Sequence, residues 1–276
     1  MFKVIRKKVL SQVSTLMEIE APSIASKAKA GNFIIYRLDE HGERVPLTVA
    51  ATDKHKGTVT IIFDKAGAST EMLDRLKEGD SILDFVGPLG MATHIEEDAK
   101  KVCLTTSGVG SAVALPIAKA YFNQKTHVDI IASFKTKDLV ILEDEMKKAS
   151  NNLYIMTDDG SYGEQGFATV KLKSLIDGGA GYDSVVTIGA PIMMKYVAET
   201  TRPYGIETVA SLNPIMIDGT GMCGCCRVNV GGKTKFACVD GPEFDAHLID
   251  FDSLMLRNSF YIEEEQRCNE NCRLKS

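Results

Sequence analysis

The segment Asp218-Gly219-Thr220-Gly221-Met222-Cys223-Gly224-Cys225-Cys226, followed by Cys238, constrains this chain more than any other part of it. Counted from Asp218, the spacing is D-x4-C-x2-C-x11-C. The plant-type 2Fe–2S spacing is C-x4-C-x2-C with a distant fourth cysteine. Asp218, Cys223, Cys226 and Cys238 are therefore candidate ligands, with an aspartate where the first cysteine would stand. A carboxylate is anionic and can ligate ferric iron, so the replacement is chemically allowed. A compact cluster needs several donors on one tight loop, and Gly219, Gly221 and Gly224 let that backbone wrap closely with its amides aimed at the sulfurs. Zinc is the competing reading, because C-x2-C pairs commonly hold it. Against zinc, no second C-x2-C or H-x3-H pair is present. Plain buried thiols are a third reading, which three cysteines in four residues with interleaved glycines disfavour. Cys225 reads as a small neighbour and as an alternative fourth ligand. Cys103 falls in an apolar run and reads as core, while Cys268 and Cys272 read as surface thiols in a polar tail.

Seven cysteines are an odd number, and their clustering suits metal rather than a disulfide framework. The charged start Met1-Phe2-Lys3-Val4-Ile5-Arg6-Lys7-Lys8 lacks the apolar stretch of an export signal, so cytoplasm is the expected compartment. A formal charge of −5 with no basic stripe argues against nucleic acid as a partner. No window approaches the length of apolar sequence that spans a membrane. At 276 residues the chain has room for two domains and a small appendage.

Residues 1–97 read as a small β-barrel. Short strands are expected at Phe33–Leu38, Val45–Ala51, Gly57–Phe63 and Ser81–Val86, separated by turns, with one helix over Ser69–Leu76. The rhythm changes in the polar stretch 96–101. Residues 98–212 alternate strand and helix: strands at Val102–Thr105, Val128–Phe134, Leu153–Met156, Val185–Ile188 and Glu207–Leu212, helices at Ala112–Tyr121, Glu143–Lys148, Ala168–Ile176 and Ile192–Thr200. That order predicts a parallel sheet with right-handed crossovers. Residues 213–276 carry the cysteine loop and end in an acidic, helical tail. The five histidines (His41, His55, His94, His127, His247) form no ligand pattern.

The chain resembles the ferredoxin–NADP reductase superfamily, in the branch with a C-terminal 2Fe–2S loop. That branch includes the electron-transfer subunit of dihydroorotate dehydrogenase and the small subunit of NADH-dependent ferredoxin:NADP oxidoreductase, also described as sulfide dehydrogenase. The resemblance rests on Thr136-Lys137-Asp138-Leu139, Ile141–Glu145, Thr157-Asp158-Asp159-Gly160-Ser161-Tyr162-Gly163, Met193–Lys195, Thr201–Gly205 and the stretch from Ser211 to Asp245. It implies an FAD-binding barrel, a nicotinamide-type α/β domain and a cluster loop whose first ligand is aspartate.

The superfamily's flavin motif R-x-Y-[ST] corresponds to Arg44-Val45-Pro46-Leu47-Thr48. This resemblance implies Pro46, Leu47 and Thr48 at the flavin ring, with Phe63 on the neighbouring strand, and leaves Arg44 displaced by one from the pyrophosphate position. Gly67-Ala68-Ser69-Thr70 fits the family's second flavin element, with Gly67, Ser69 and Thr70 at a helix N-terminus. The nicotinamide loop reads Thr106-Ser107-Gly108-Val109-Gly110-Ser111-Ala112-Val113. Gly108 and Gly110 remain of a longer glycine run, and the side chains added at the other positions are expected to crowd the nucleotide. Asp159 is implied on the nucleotide side.

The resemblance further implies FAD and a 2Fe–2S cluster as cofactors and NAD(H) as substrate. No acid–base residue need be invoked, and none is singled out as catalytic. A larger flavin and iron–sulfur subunit is the implied partner, with ferredoxin as a further candidate. A carrier subunit with a decayed nucleotide site, a reductase subunit serving a dihydroorotate or sulfide dehydrogenase, and a zinc-stapled interaction protein stay open as alternatives.

Overall fold

A computed structural model describes residues 1–270. Its first part is an antiparallel sheet of seven strands: β1 (Phe2–Val9), β2 (Ser14–Glu20), β3 (Phe33–Arg37), β4 (Val45–Asp53), β5 (Thr58–Asp64), β6 (Ser81–Ile82) and β7 (Asp84–Leu89). Their spatial order is β6-β1-β2-β5-β4-β3-β7, so the two edge strands, β6 and β7, are neighbours in sequence. Only Leu83 separates them, and the sheet therefore curls into a nearly closed barrel. Two helices lie beside it, α1 (Pro22–Ala25) and α2 (Ala68–Arg75). The barrel is filled by Met17, Ile34, Tyr36, Ile61, Phe63 and Phe85, among others, all buried. Each large side chain so buried contributes about 1.5–3 kcal/mol.

The second sheet is mostly parallel. It contains β8 (Lys101–Ser107), β9 (His127–Phe134), β10 (Asn152–Thr157), β11 (Glu164–Gln165), β12 (Ser184–Ile188) and β13 (Glu207–Ser211), in the order β11-β10-β9-β8-β12-β13. Helices α3 (Gly110–Asn123), α4 (Glu143–Lys148), α5 (Ala168–Asp177) and α6 (Pro191–Thr201) alternate with these strands. Burial on both faces explains the run Val128-Asp129-Ile130-Ile131-Ala132, apolar but for one aspartate. The order reverses between β8 and β12, which makes their C-terminal ends the topological switch point. Thr106 pairs with Ile188 there, so the turns after β8 and β12 stand level with each other. Ala50 and Ile62 of the barrel share one buried cluster with Val102, Leu104 and Ile117, so the two sheets are packed as one body.

The remaining chain forms a hairpin of β14 (Arg227–Val230) and β15 (Lys233–Phe236), then β16 (Glu243–Asp245) and helices α7 (Phe251–Asn258) and α8 (Ile262–Glu270). β16 pairs antiparallel with β13 and so joins the second sheet. No helix among the described residues is long and apolar enough to cross a membrane. β1 and β2 are additions to the strands expected from sequence. Lysine and arginine side chains occupy both faces of β1, with Lys7 part-buried against Asp74, and β2 carries glutamate, which hides the alternation. The side chain of Cys268 and the whole of Cys272 lie outside the described residues.

Candidate functional site

A cleft of about 1240 Å³ lies between the barrel and the C-terminal ends of the parallel strands. It exceeds the ~300–1,000 Å³ of ordinary small-molecule sites and has room for a dinucleotide. Its barrel wall includes Pro46, Leu47, Thr48, Phe63 and Thr70. Its other wall includes Gly108 and Gly110 after β8, Lys135 after β9, Asp158 after β10 and Gly189–Pro191 after β12. Seven of the ten residues expected to contact cofactor or nucleotide thus meet around one space: Pro46, Leu47, Thr48, Phe63, Thr70, Gly108 and Gly110.

Gly67, Ser69 and Asp159 stand outside that lining. Gly67 sits between Ala66 and Thr70, both of which line the cleft. The Thr70 hydroxyl accepts from the Ala66 and Gly67 amides at 3.0 and 3.2 Å, which shapes the entry to α2. The Ser69 hydroxyl donates to Glu43. Asp159 accepts from the amide and hydroxyl of Ser161 at 3.0 and 2.6 Å, which fixes its own turn and holds its carboxyl below the usual range. Its neighbour Asp158 is the carboxylate at the cleft wall, a choice that only the direction of the chain leaving β10 could settle.

The two retained glycines do different work. Gly108 has φ +54° with open space where a Cβ would stand, so it serves the backbone turn. A Cβ on Gly110 would lie 2.5 Å from the Ile188 carbonyl oxygen, so Gly110 allows α3 to press against the end of β12. Of the two replaced glycines, only one position adds a side chain to the cleft. Thr106 is fully buried, and its hydroxyl pairs with that of Ser111 at 2.9 Å, away from the cleft. Ser107 does line the cleft, but its hydroxyl accepts from the Ala190 amide at 3.1 Å and so ties together the turns after β8 and β12. Lys135, Tyr196, Asn213 and Met216 also line the cleft, and no local pattern marks the last three.

The cysteine loop packs against the outside of the same barrel. Gly219, Gly221 and Gly224 all have positive φ, +77°, +83° and +69°. A Cβ on Gly219 would stand 2.7 Å from Leu89 Cδ1 and 2.8 Å from Ile35 Cδ1, so this glycine lets the loop seat on β3 and β7. Asp218 Oδ2 accepts from the Cys223 amide at 3.0 Å, and Oδ1 from the Thr220 amide at 3.0 Å. The Thr220 amide first, then the contacts with Cys223, hold the Asp218 carboxyl down to about 2. The Cys238 amide donates to Cys226 Sγ at 3.4 Å, and burial followed by the Cys226 thiol pushes the Cys238 thiol up to about 12. The four expected donors therefore stand as two neighbouring pairs, Asp218 with Cys223 and Cys226 with Cys238. Among the described residues no three such side chains converge on one point. Cys223 is exposed, and Cys226 and Cys238 are buried. Cys225 is half-buried, and Arg257 donates to its carbonyl at 3.1 Å.

Phe33 and Met216 belong to both regions. They line the cleft, and they pack in one buried cluster with Cys226 and Cys238.

Comparison with known proteins agrees with this arrangement. Residues 213–250 match the model of the iron–sulfur cluster binding domain of dihydroorotate dehydrogenase B. In overall fold the chain is similar to a solved structure of NADH-dependent reduced ferredoxin-NADP oxidoreductase, studied for flavin-based electron bifurcation. The TM-score is 0.92 at 39% identity, covering 97% of this chain and 96% of that one. The cytochrome b5 reductase domain of an Ulva prolifera nitrate reductase, at 16% identity and TM-score 0.62, shares the fold alone. In sequence the chain is 31% identical to the dihydroorotate dehydrogenase B (NAD(+)) electron transfer subunit of Streptococcus pneumoniae, over 78% of this chain and 85% of that one. It is 44% identical to a homologue of that subunit from Thermotoga maritima, over 90% of this chain and 87% of that one. The chain belongs to the family of dihydroorotate dehydrogenase B electron transfer subunits.

Proposed function

We propose that the chain is the flavin- and iron–sulfur-bearing electron-transfer subunit of a multi-subunit oxidoreductase of the NADH-dependent ferredoxin:NADP oxidoreductase type. The observation that carries this reading is the wall shared by Phe33 and Met216, with the cleft on one side and Cys226 and Cys238 on the other. FAD in the cleft supplies the conversion of a hydride into single electrons, and a 2Fe–2S cluster accepts electrons singly. The donor set suits such a cluster, because two irons call for two donor pairs and the positive-φ glycines open the backbone around them.

The roles of the protein follow from the cleft. Leu47 offers apolar surface to the flavin ring with Phe63 packed in the barrel behind the cleft wall, Pro46 shapes the strand, and the Thr48 hydroxyl reaches the polar edge. The turn at Gly67 with Ser69 and Thr70 opens α2, whose first amides favour a pyrophosphate. Gly108 and Gly110 bring the N-terminus of α3 to the phosphates of NAD(H), with Lys135 as a nearby positive charge. Asp158, not Asp159, faces the space where a ribose hydroxyl would lie. Asp218, Cys223, Cys226 and Cys238 hold the cluster. Residues 1–97 serve the flavin, 98–212 the nucleotide and 213–276 the cluster, and a larger flavin and iron–sulfur subunit in the cytoplasm takes the electrons, with ferredoxin as a further partner.

Visible absorption of the purified protein tests this directly. Flavin bands with a cluster shoulder, FAD on extraction and bleaching by NADH are expected. FMN, no flavin, or a colourless protein overturns the reading. Flavin that neither NADH nor NADPH bleaches, with the partner present, reduces the nucleotide domain to a remnant.

A further inference from the structure

The segment from Met216 to Gly219 is fixed at three points, none of which the proposed cofactor contacts require. Met216 is 5% exposed and sits in the buried cluster with Phe33, Cys226 and Cys238 while also facing the cleft. Arg44 Nε donates to the Ile217 carbonyl at 2.7 Å, a bond between residues 173 positions apart. Gly219 is pressed against Ile35 and Leu89. Arg44 immediately precedes β4, the strand that presents Pro46, Leu47 and Thr48 to the cleft. Its guanidinium thus ties the flavin strand to the backbone one residue ahead of Asp218. An arginine displaced from the pyrophosphate position has a different partner here.

We propose that Met216–Asp218 is a bridge between the flavin site and the cluster, and that Arg44 is the positioning residue that holds it. The inference rests on the proposed function and deepens it. In the reaction, NADH gives up a hydride and leaves as NAD+. With FAD in the cleft to take the hydride and a cluster on the loop, the two electrons would cross the Met216 wall one at a time and pass on singly to a one-electron acceptor of the partner subunit, the proton leaving to solvent at the cleft. A dry, close-packed wall keeps the two redox sites at a fixed separation. Releasing the Ile217 carbonyl frees the backbone that aims Asp218, which alters the cluster itself and not only the rate across the wall.

The test uses the purified holoprotein with its partner and three variants, Arg44→Gln, Met216→Leu and Met216→Ala. Flavin and iron content are measured first. Rapid mixing with NADH then follows flavin bleaching and cluster reduction in the same sample, and paramagnetic resonance and redox titration record the cluster at equilibrium. In Arg44→Gln, full FAD and iron content is expected, with a changed cluster line shape, a shifted potential and cluster reduction lagging flavin bleaching several-fold more than in wild type. Met216→Ala should lengthen the same lag, and Met216→Leu, which refills the volume, should restore it. The proposal is overturned if Arg44→Gln loses FAD affinity while its flavin-loaded fraction shows the wild-type lag and cluster spectrum, since Arg44 would then serve the flavin. An unchanged lag in Met216→Ala overturns it equally. Wild-type protein without flavin or cluster refutes the proposed function itself, a failure visible before any variant is made.

Discussion

Gly110→Ala probes the meeting of sheet, helix and nucleotide most sharply. The added Cβ would lie 2.5 Å from the Ile188 carbonyl oxygen and 3.1 Å from its carbon, both backbone atoms with no rotamer to yield. Because real Cβ contacts essentially never fall under 3.0 Å, the gap between α3 and β12 has to open by at least 0.5 Å. Overpacking of this kind costs about 1–3 kcal/mol of stability. The N-terminus of α3, which lines the cleft at Gly110, Ala112 and Val113, is the end that recoils. Losing one amide bond to a charged phosphate removes about 1.5–3 kcal/mol, which lowers NADH affinity roughly 10- to 150-fold. Gly108→Ala is the companion: its φ of +54° carries the left-handed penalty of about 1–2 kcal/mol, but its Cβ meets nothing within 4 Å. Titrating each oxidised variant with NADH, beside a thermal melt, separates the two effects. A Gly110→Ala protein that melts lower yet binds NADH as tightly as wild type would refute the reasoning, because α3 would then pack on β12 without touching nucleotide.

Asp218→Cys should keep a 2Fe–2S centre with an altered paramagnetic signal, and Cys225→Ala should keep an unaltered one. Cluster loss in Cys225→Ala would move the fourth ligand to that thiol. Burial raises the Glu243 carboxyl above its ordinary 4.5, against the hydrogen bond it accepts from the Thr93 hydroxyl at 2.7 Å. Its neutral form is therefore the favoured one: stability is full below pH 4.5 and is lost as pH rises through the raised folded value. Glu243→Gln should melt progressively higher than wild type as pH climbs from 4.5 through the raised folded value, and a pH-independent difference would count against this. Asp129, 1% exposed, is pulled up by burial but held below the usual carboxylate range by Asn152, Tyr182, Lys101 and His127. Asp129→Asn should cost about 3 kcal/mol at neutral pH, and an unchanged melting temperature would contradict the assigned network.

Much of this molecule was legible because its strongest signals are local. The ligand spacing and its glycines lie on one short loop, and the positive φ at 219, 221 and 224 is the conformation glycine is there to permit. The parallel strands announce themselves as apolar runs because both faces are covered. β1 and β2 escaped because Lys3, Arg6 and Lys8 are exposed, Lys7 on the opposite face is a lysine held by Asp74 where an apolar residue would mark the core, and the period is broken by a bulge between Val4 and Arg6. The shared wall was illegible for a different reason. Phe33 and Met216 lie far apart in sequence, and each alone is an ordinary apolar residue. Thr106 shows the converse error: a hydroxyl in a motif position looked intrusive until its rotamer proved to serve Ser111.

The cluster segment is too short to own a core, and the structure shows what it borrows. Ile35, Leu89 and Phe33 of the barrel complete the apolar cluster around Cys226 and Cys238. The chain then leaves Cys238 along a strap that touches every other part. The Met91 amide donates to the Gly241 carbonyl at 2.6 Å, Pro242 lines the cleft, and the Leu212 amide donates to the Pro242 carbonyl at 2.9 Å. Glu243 takes the Thr93 hydroxyl, and β16 completes the second sheet against β13. Barrel, sheet and cluster loop are thereby stitched by one short run of backbone. A cofactor site at the cleft and a cluster in the loop cannot shift independently across such a stitch. That rigidity is what the proposed electron transfer asks of the protein, since two redox centres held at one separation keep the path between them constant.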